Sequence, residues 1–145
     1  MRFALYACLL FTFECVTGTG IPCDGARRSG GGLCVRIGEP FSMRIGETAY
    51  IADTHASVRL NAVPEDSRCP RDAVCVWAGN ARVALTVRDG PNADDIELNS
   101  TLEPRAAIRG AYRIELTDVQ PVPHSGQRTP AEEYVIELVA TRAND

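Results

Sequence analysis

DSRCPRDAVCVWAGNARVALTVR, Asp66 to Arg88, sets a short cysteine-bounded loop directly in front of the longest strand-like run in the chain and its single tryptophan. From Trp77 onward the odd positions are Trp77, Gly79, Ala81, Val83, Leu85 and Val87, and the even ones include Asn80, Arg82, Thr86 and Arg88. A period of two over this length is the signature of a strand with one face in a core. The pattern places Trp77 at the head of that strand with its ring directed inward. Gly79 then marks a bulge or a close backbone approach beside the ring.

Working outward, the same period recurs. Phe41, Met43 and Ile45 share one parity, with Ser42 and Arg44 on the other, and Gly46 closes the segment. Thr48 to Ile51 reads as a short strand, and Val58, Leu60 and Ala62 mark another that ends at a Pro64-Glu65-Asp66 turn. Beyond the turn residues Asp89 to Asn92 come Ile96 to Leu98, then Tyr112, Ile114 and Leu116, then Tyr134, Ile136, Leu138 and Ala140. No window sustains a helical period, and turn residues recur at short intervals. The expected fold is therefore all-β, an immunoglobulin-like antiparallel β-sandwich of about seven or eight strands, with a small β-barrel as the alternative. Arg-Ile-Gly-Glu occurs at 36–39 and again at 44–47; two copies are too few for a solenoid and read as two similar strand ends.

The chain has 145 residues, 45% of them apolar and 23% charged, the composition of one globular domain. Its formal charge is −4, and all fifteen basic residues are arginine. An acidic balance of this kind excludes nucleic acid as the main partner, because phosphate binding needs a net basic stripe. Residues 1–20 have the outline of a secretory signal: Arg2, an apolar run from Phe3 to Phe13, then small residues to Gly20. The run is too short to span a bilayer at about 20 residues per crossing. Residues 21–32 follow as a flexible, glycine-rich leader, and 33–145 as the single β-sandwich domain. The expected location is periplasmic or secreted. A lipid anchor in the cell envelope is the alternative, since Leu5-Tyr6-Ala7-Cys8 has the shape of a lipidation site.

Removal of the signal leaves Cys23, Cys34, Cys69 and Cys75, an even number in an exported chain. Two local disulfides, Cys23 with Cys34 and Cys69 with Cys75, are expected. No C-x-x-C is present, so neither a zinc site nor a redox motif is read here. Closure of the Cys69–Cys75 ring adds roughly 2 kcal/mol by the loop-entropy model. It also holds Arg71 and Asp72 at a solvent-facing tip, with Arg68 beside them, and these three residues form the candidate binding surface.

At Asp66-Ser67-Arg68-Cys69-Pro70 and Cys75-Val76-Trp77-Ala78-Gly79 the chain resembles a group of uncharacterised exported bacterial proteins, many of them lipoproteins, with a D-S-R-C-P then C-x-W-A-G signature. The likeness extends loosely from about Phe41 to Ala140. It implies export and a β-sandwich and carries no activity with it. The immunoglobulin cysteine pattern is not matched, because Trp77 follows Cys75 by two residues and no later cysteine exists.

Catalytic chemistry has little to build on. No G-x-S-x-G elbow occurs, and His55 and His124 are the only histidines, each in a loop. Asp94-Asp95 and Glu132-Glu133 are adjacent acids of the kind found on soluble surfaces, and Asp89 to Asp95 lacks the spacing of a calcium loop. The reading is of a non-enzyme without metal or cofactor. Pro121 to Glu133, with three prolines, is long for a connection between strands, a class of loop that often carries binding. Two functions are expected in turn. One is a binding or structural module that contacts an envelope or extracellular protein, with the membrane involved only through a lipid anchor. The other is a protease inhibitor that presents the Cys69–Cys75 ring, with Arg71 as its contact residue.

Overall fold

A computed structural model describes residues 31–144. The expected signal, most of the leader and Cys23 lie outside these residues. Nine strands are present among those described: β1 (Leu33–Val35), β2 (Pro40–Arg44), β3 (Thr48–Ile51), β4 (Ala56–Asp66), β5 (Ala81–Asp89), β6 (Asn92–Asn99), β7 (Ala106–Arg109), β8 (Tyr112–Gln120) and β9 (Val135–Arg142). They form a five-stranded sheet of order β1-β3-β4-β5-β6 and a four-stranded sheet of order β2-β9-β8-β7. All pairings are antiparallel except that of β1 with β3. The two sheets do not close on one another, so the molecule is a β-sandwich and not a barrel. Of the immunoglobulin-like expectation, the two-sheet sandwich is the part that the strand order bears out.

Alternation explains why these segments become strands and which face each one buries. In β5, Ala81, Val83, Leu85 and Val87 are buried while Arg82, Ala84 and Thr86 are half-exposed. Across the interior, Ile114 and Leu116 of β8, Ile136, Leu138 and Ala140 of β9, and Phe41 and Met43 of β2 complete one continuous core. Leu138 stands opposite Phe41 on one side and Leu116 on the other, at the centre of the smaller sheet. Inward parity in β8 runs through Tyr112, Ile114 and Leu116 and then jumps to Val119, because a bulge between Leu116 and Asp118 inserts an extra residue.

Three local readings are corrected. Pro64-Glu65-Asp66 is not a turn: β4 continues to Asp66, and irregularities between Leu60 and Ala62 and between Ala62 and Glu65 let the proline sit in the strand without a ladder bond. The strand-like run from Val76 begins only at Ala81. β7 has a half-buried, non-alternating pattern and gave no sequence signal, which accounts for part of the excess over the expected strand count.

The repeated Arg-Ile-Gly-Glu does mark two similar strand ends. Glu39 N–H donates to the Arg36 carbonyl at 3.3 Å and Glu47 N–H to that of Arg44 at 3.0 Å, closing equivalent turns after β1 and β2. Gly38 and Gly46 take the left-handed conformation, φ 82° and 90°, that such turns demand of one residue.

Leu138→Ala should cost about 2 to 5 kcal/mol in urea denaturation, the range for emptying a closed core site. Ile108→Ala, on an exposed position of β7, should change stability by no more than about 0.5 kcal/mol.

Candidate functional site

The Asp66 to Ala81 segment is the far end of the β4–β5 hairpin. Pairing runs past the strands proper: Ser67 N–H donates to the Asn80 carbonyl at 2.8 Å, and Cys69 N–H to that of Ala78 at 3.0 Å. At Gly79 the chain comes so close to its partner that a Cβ would stand 1.8 Å from the Ser67 carbonyl oxygen, and φ is 69°. Only glycine fits. The close backbone approach expected here is real, but its neighbour is Ser67 and not the ring of Trp77.

Buried Asn80 holds the base of the hairpin to the loop after β6. Its side-chain amide donates to Asn99 Oδ1 at 2.8 Å, and its Oδ1 accepts from Thr101 N–H at 3.2 Å. Ser100 Oγ accepts from Ala81 N–H at 2.8 Å. The hairpin is thus tied down on one side before the ring begins.

On the other side stands Arg68, and here the structure corrects the expected binding surface. Its side chain is only 12% exposed and that of Asp66 only 8%. The guanidinium meets Asp66 through two bonds, Nη2 to Oδ2 at 2.7 Å and Nε to Oδ1 at 2.8 Å. The same group donates from Nη1 to the Val119 carbonyl and from Nη2 to that of Pro121 at 2.8 Å. Tyr134 OH adds a bond to Asp66 Oδ2 at 3.0 Å. Arg68 therefore spends its donors inside the protein and is not free for a partner. Burial would by itself raise the Asp66 carboxyl, but the Arg68 side-chain bonds, the Arg68 N–H and the Arg68 charge outweigh it and hold the group below its ordinary value. Burial, reinforced by the charge of Asp66, pushes the Tyr134 phenol upward.

Beyond the clamp lies the ring. Cys69 and Cys75 are disulfide-bonded as expected, with Cα atoms 5.9 Å apart. Cys34 is disulfide-bonded too, and its expected pairing with Cys23 falls outside the described residues. Inside the Cys69–Cys75 ring, Ala73 N–H donates to the Pro70 carbonyl at 3.1 Å, so Arg71 and Asp72 occupy a turn. Both are exposed. The ring rests against the long 121–133 loop: Arg71 N–H donates to the Pro123 carbonyl at 3.0 Å, and Asp72 Oδ1 accepts from Ser125 N–H at 2.8 Å. The Ser125 N–H bond lowers the Asp72 carboxyl, with His124 as a further positive influence.

Trp77 is the largest departure from expectation. It is 83% exposed, flanked by Val76 at 90% and, across the disulfide, by a fully exposed Val74. Parity does not carry back from Ala81 to Trp77, because Gly79 at φ 69° breaks the strand conformation: the residues before it leave the sheet, and only those from Ala81 on point into the core. What results is an apolar tip of Val74, Val76 and Trp77 on a covalently braced hairpin.

The other residues considered from the sequence do not assemble. His55 lies at the start of β4 and His124 beside the ring at its end, and the eleven residues of that strand separate them by roughly 35 Å at 3.3 Å per residue. Among the described residues no cluster of His, Cys, Asp or Glu is placed to hold a metal ion, and no helix is long and apolar enough to cross a membrane. Asp95 accepts from the Thr86 hydroxyl at 2.6 Å on an exposed face. Comparison with known proteins finds no match: no family model, no curated protein and no solved structure corresponds to this chain.

Three substitutions test this geometry. Arg68→Ala should cost about 3 to 5 kcal/mol by urea denaturation, because it leaves a buried carboxylate unpaired. Since the Asp66 carboxyl is depressed in the fold, its contribution is complete above the ordinary carboxylate pKa and is lost as pH falls through the folded value. The stability gap between wild type and Asp66→Asn is accordingly widest near neutral pH and narrows on acidification. Trp77→Ala, by contrast, should change stability by less than about 1 kcal/mol, and the emission of this single tryptophan should be quenched readily by acrylamide in the folded protein. A loss of several kcal/mol, or a protected emission, would return the ring to the core.

Proposed function

We propose that the protein is an extracytoplasmic, non-catalytic binding module that docks onto an envelope or extracellular protein through the apolar tip of its β4–β5 hairpin. The observation that carries this reading is the exposure of Val74, Val76 and Trp77 on one rigid projection. Large apolar side chains grouped at the surface mark interaction sites, and tryptophan is the residue most enriched among the few that dominate binding energy. Burying the indole alone removes about 150 to 250 Å² from water. At 25 cal/mol per Å² that is a gross gain of roughly 4 to 6 kcal/mol, before the cost of association. Disulfide, clamp and Asn80 bonds keep the tip in one arrangement, so little of the gain is spent on ordering it.

A disulfide in the described residues is compatible with an oxidising compartment, and the resemblance of the D-S-R-C-P and C-x-W-A-G segments to exported bacterial proteins points the same way. The protease-inhibitor reading takes second place on a specific ground. Its contact residue, Arg71, sits in a turn with its N–H already bonded to Pro123, whereas a substrate mimic offers an extended segment whose backbone groups are free to pair with the enzyme.

Photo-crosslinking from position 76 in intact cells tests the proposal. A discrete adduct with one envelope or extracellular protein, lost when Trp77→Ala is added to a chain of unchanged melting temperature, is the expected result. An adduct that persists with Trp77→Ala, or none from position 76, would overturn it, and an adduct with a protease would move the inhibitor reading to the front.

A further inference from the structure

Beside the apolar tip, on the side of the ring that faces the 121–133 loop, lies a cleft of about 590 Å³. Arg71 from the ring and His124, Gln127, Arg128 and Glu133 from the loop line it. Its electrostatics differ from those of the molecule as a whole, which carries a net charge of −4. Arg71 and Arg128, with the His124 imidazole, line it against a single carboxylate residue, Glu133.

Four arginines of the described residues are matched by carboxylates. Arg68 is consumed by Asp66 and two carbonyls, Arg82 lies between Glu65 and Glu97, Arg113 pairs with Glu115 and Arg36 with Glu39. The guanidiniums of Arg71 and Arg128, like those of Arg59, Arg88, Arg105 and Arg142, have no acceptor among the described residues; what sets Arg71 and Arg128 apart is that both line one cleft. The carboxylate next to Arg71 in sequence, Asp72, is turned to the Ser125 N–H at 2.8 Å and lies 3.9 Å from His124 Nδ1. Asp72 is thereby engaged by the loop, and no ion pair joins it to Arg71. The disulfide and the Arg71 N–H bond to Pro123 meanwhile fix the backbone from which its side chain extends.

We infer that this cleft binds a small oxyanion, a carboxylate or a phosphate ester, held between Arg71 and Arg128 with the Gln127 amide as a neutral donor. Guanidinium is suited to this task because its planar fork matches both carboxylate and phosphate oxygens, and charge-assisted bonds of this kind are about twice as strong as neutral ones. Glu133 is the one lining group that opposes an anion, so it sets an upper bound on affinity and gives the site a distinctive response to substitution. The inference is independent of the apolar tip: neither Val74, Val76 nor Trp77 lines the cleft.

The test is an NMR titration of the purified protein at constant ionic strength, one arm with inorganic phosphate and one with citrate, following the amides of Arg71, Gln127 and Arg128 and the arginine Nε–H signals. Saturable shifts confined to these groups, with a dissociation constant of roughly millimolar or below, are expected from at least one arm, and the responding arm identifies the phosphoryl or the carboxylate class. Arg71→Gln and Arg128→Gln, on exposed side chains and with melting temperatures unchanged, should each weaken binding about tenfold. Glu133→Gln should tighten it several-fold, which a merely structural effect would not do, and Trp77→Ala should leave it as it was. Shifts that never saturate, that are matched at remote Arg59, or that survive both arginine substitutions would overturn the proposal.

Discussion

The ion pair of Asp66 with Arg68 is the constraint on which the far end of the β4–β5 hairpin depends. Asp66 is the last residue of β4 and Arg68 stands two beyond it, in the five-stranded sheet's hairpin. The carbonyls that Arg68 caps, Val119 and Pro121, belong to the end of β8 and the loop after it, and Tyr134 immediately precedes β9. One guanidinium therefore fastens one sheet to the other. A buried pair of this kind is weak evidence for stability, since a hydrophobic substitute of the same volume often does as well. Its value is directional. A planar fork with three nitrogens satisfied by four oxygens admits one arrangement of the elements around it, which greasy packing at a sandwich end would not impose.

That arrangement decides what the ring can do. Past Asp66 the hairpin has left the core, so its side chains no longer contribute to the apolar cluster and its conformation has to be held by other means. A disulfide closes it, Gly79 permits the close crossing with Ser67, and Asn80 binds its base to the loop after β6. The 121–133 loop, long by the usual measure of strand connections, is shaped against the ring through Pro123 and Ser125. Ring and loop brace each other and divide the surface between them: apolar groups on the free side, cations in the cleft on the shared side.

How much of this was legible in the sequence depended on whether the relevant interaction was local. Alternation located the core faces of β2, β5, β8 and β9 because each side chain's direction follows from its neighbours. The Cys69–Cys75 bond was legible for the same reason, lying within seven residues. Trp77 was misplaced because its parity with Ala81 and Val83 is a coincidence of numbering; the left-handed Gly79 between them cancels the inference, and nothing in a one-letter pattern distinguishes a strand glycine from one at φ 69°. Arg68 was misread because its partners Val119 and Pro121 are carbonyls more than fifty positions away, and backbone acceptors leave no mark on composition. β7 was missed since Ala106 to Arg109 is held by its pairing with β8 and not by any pattern of its own.

The corrected position of Trp77 changes the meaning of the signature segment as a whole. Had the ring been in the core, Asp66 to Gly79 would be scaffold throughout, a covalent brace ahead of a strand, and packing would explain every residue of it. With the ring outside, packing explains only part. Asp66, Arg68, the two cysteines and Gly79 each have a structural task that can be read from their bonds or their backbone. Val74, Val76 and Trp77 have none, and three apolar side chains held in water lower solubility without strengthening the fold. Burial of the three in a complex, as proposed above, would recover that cost. On the proposed function the segment combines a support with a binding tip, and a support held by the disulfide, the Arg68 bonds and the Gly79 crossing would present that tip already arranged.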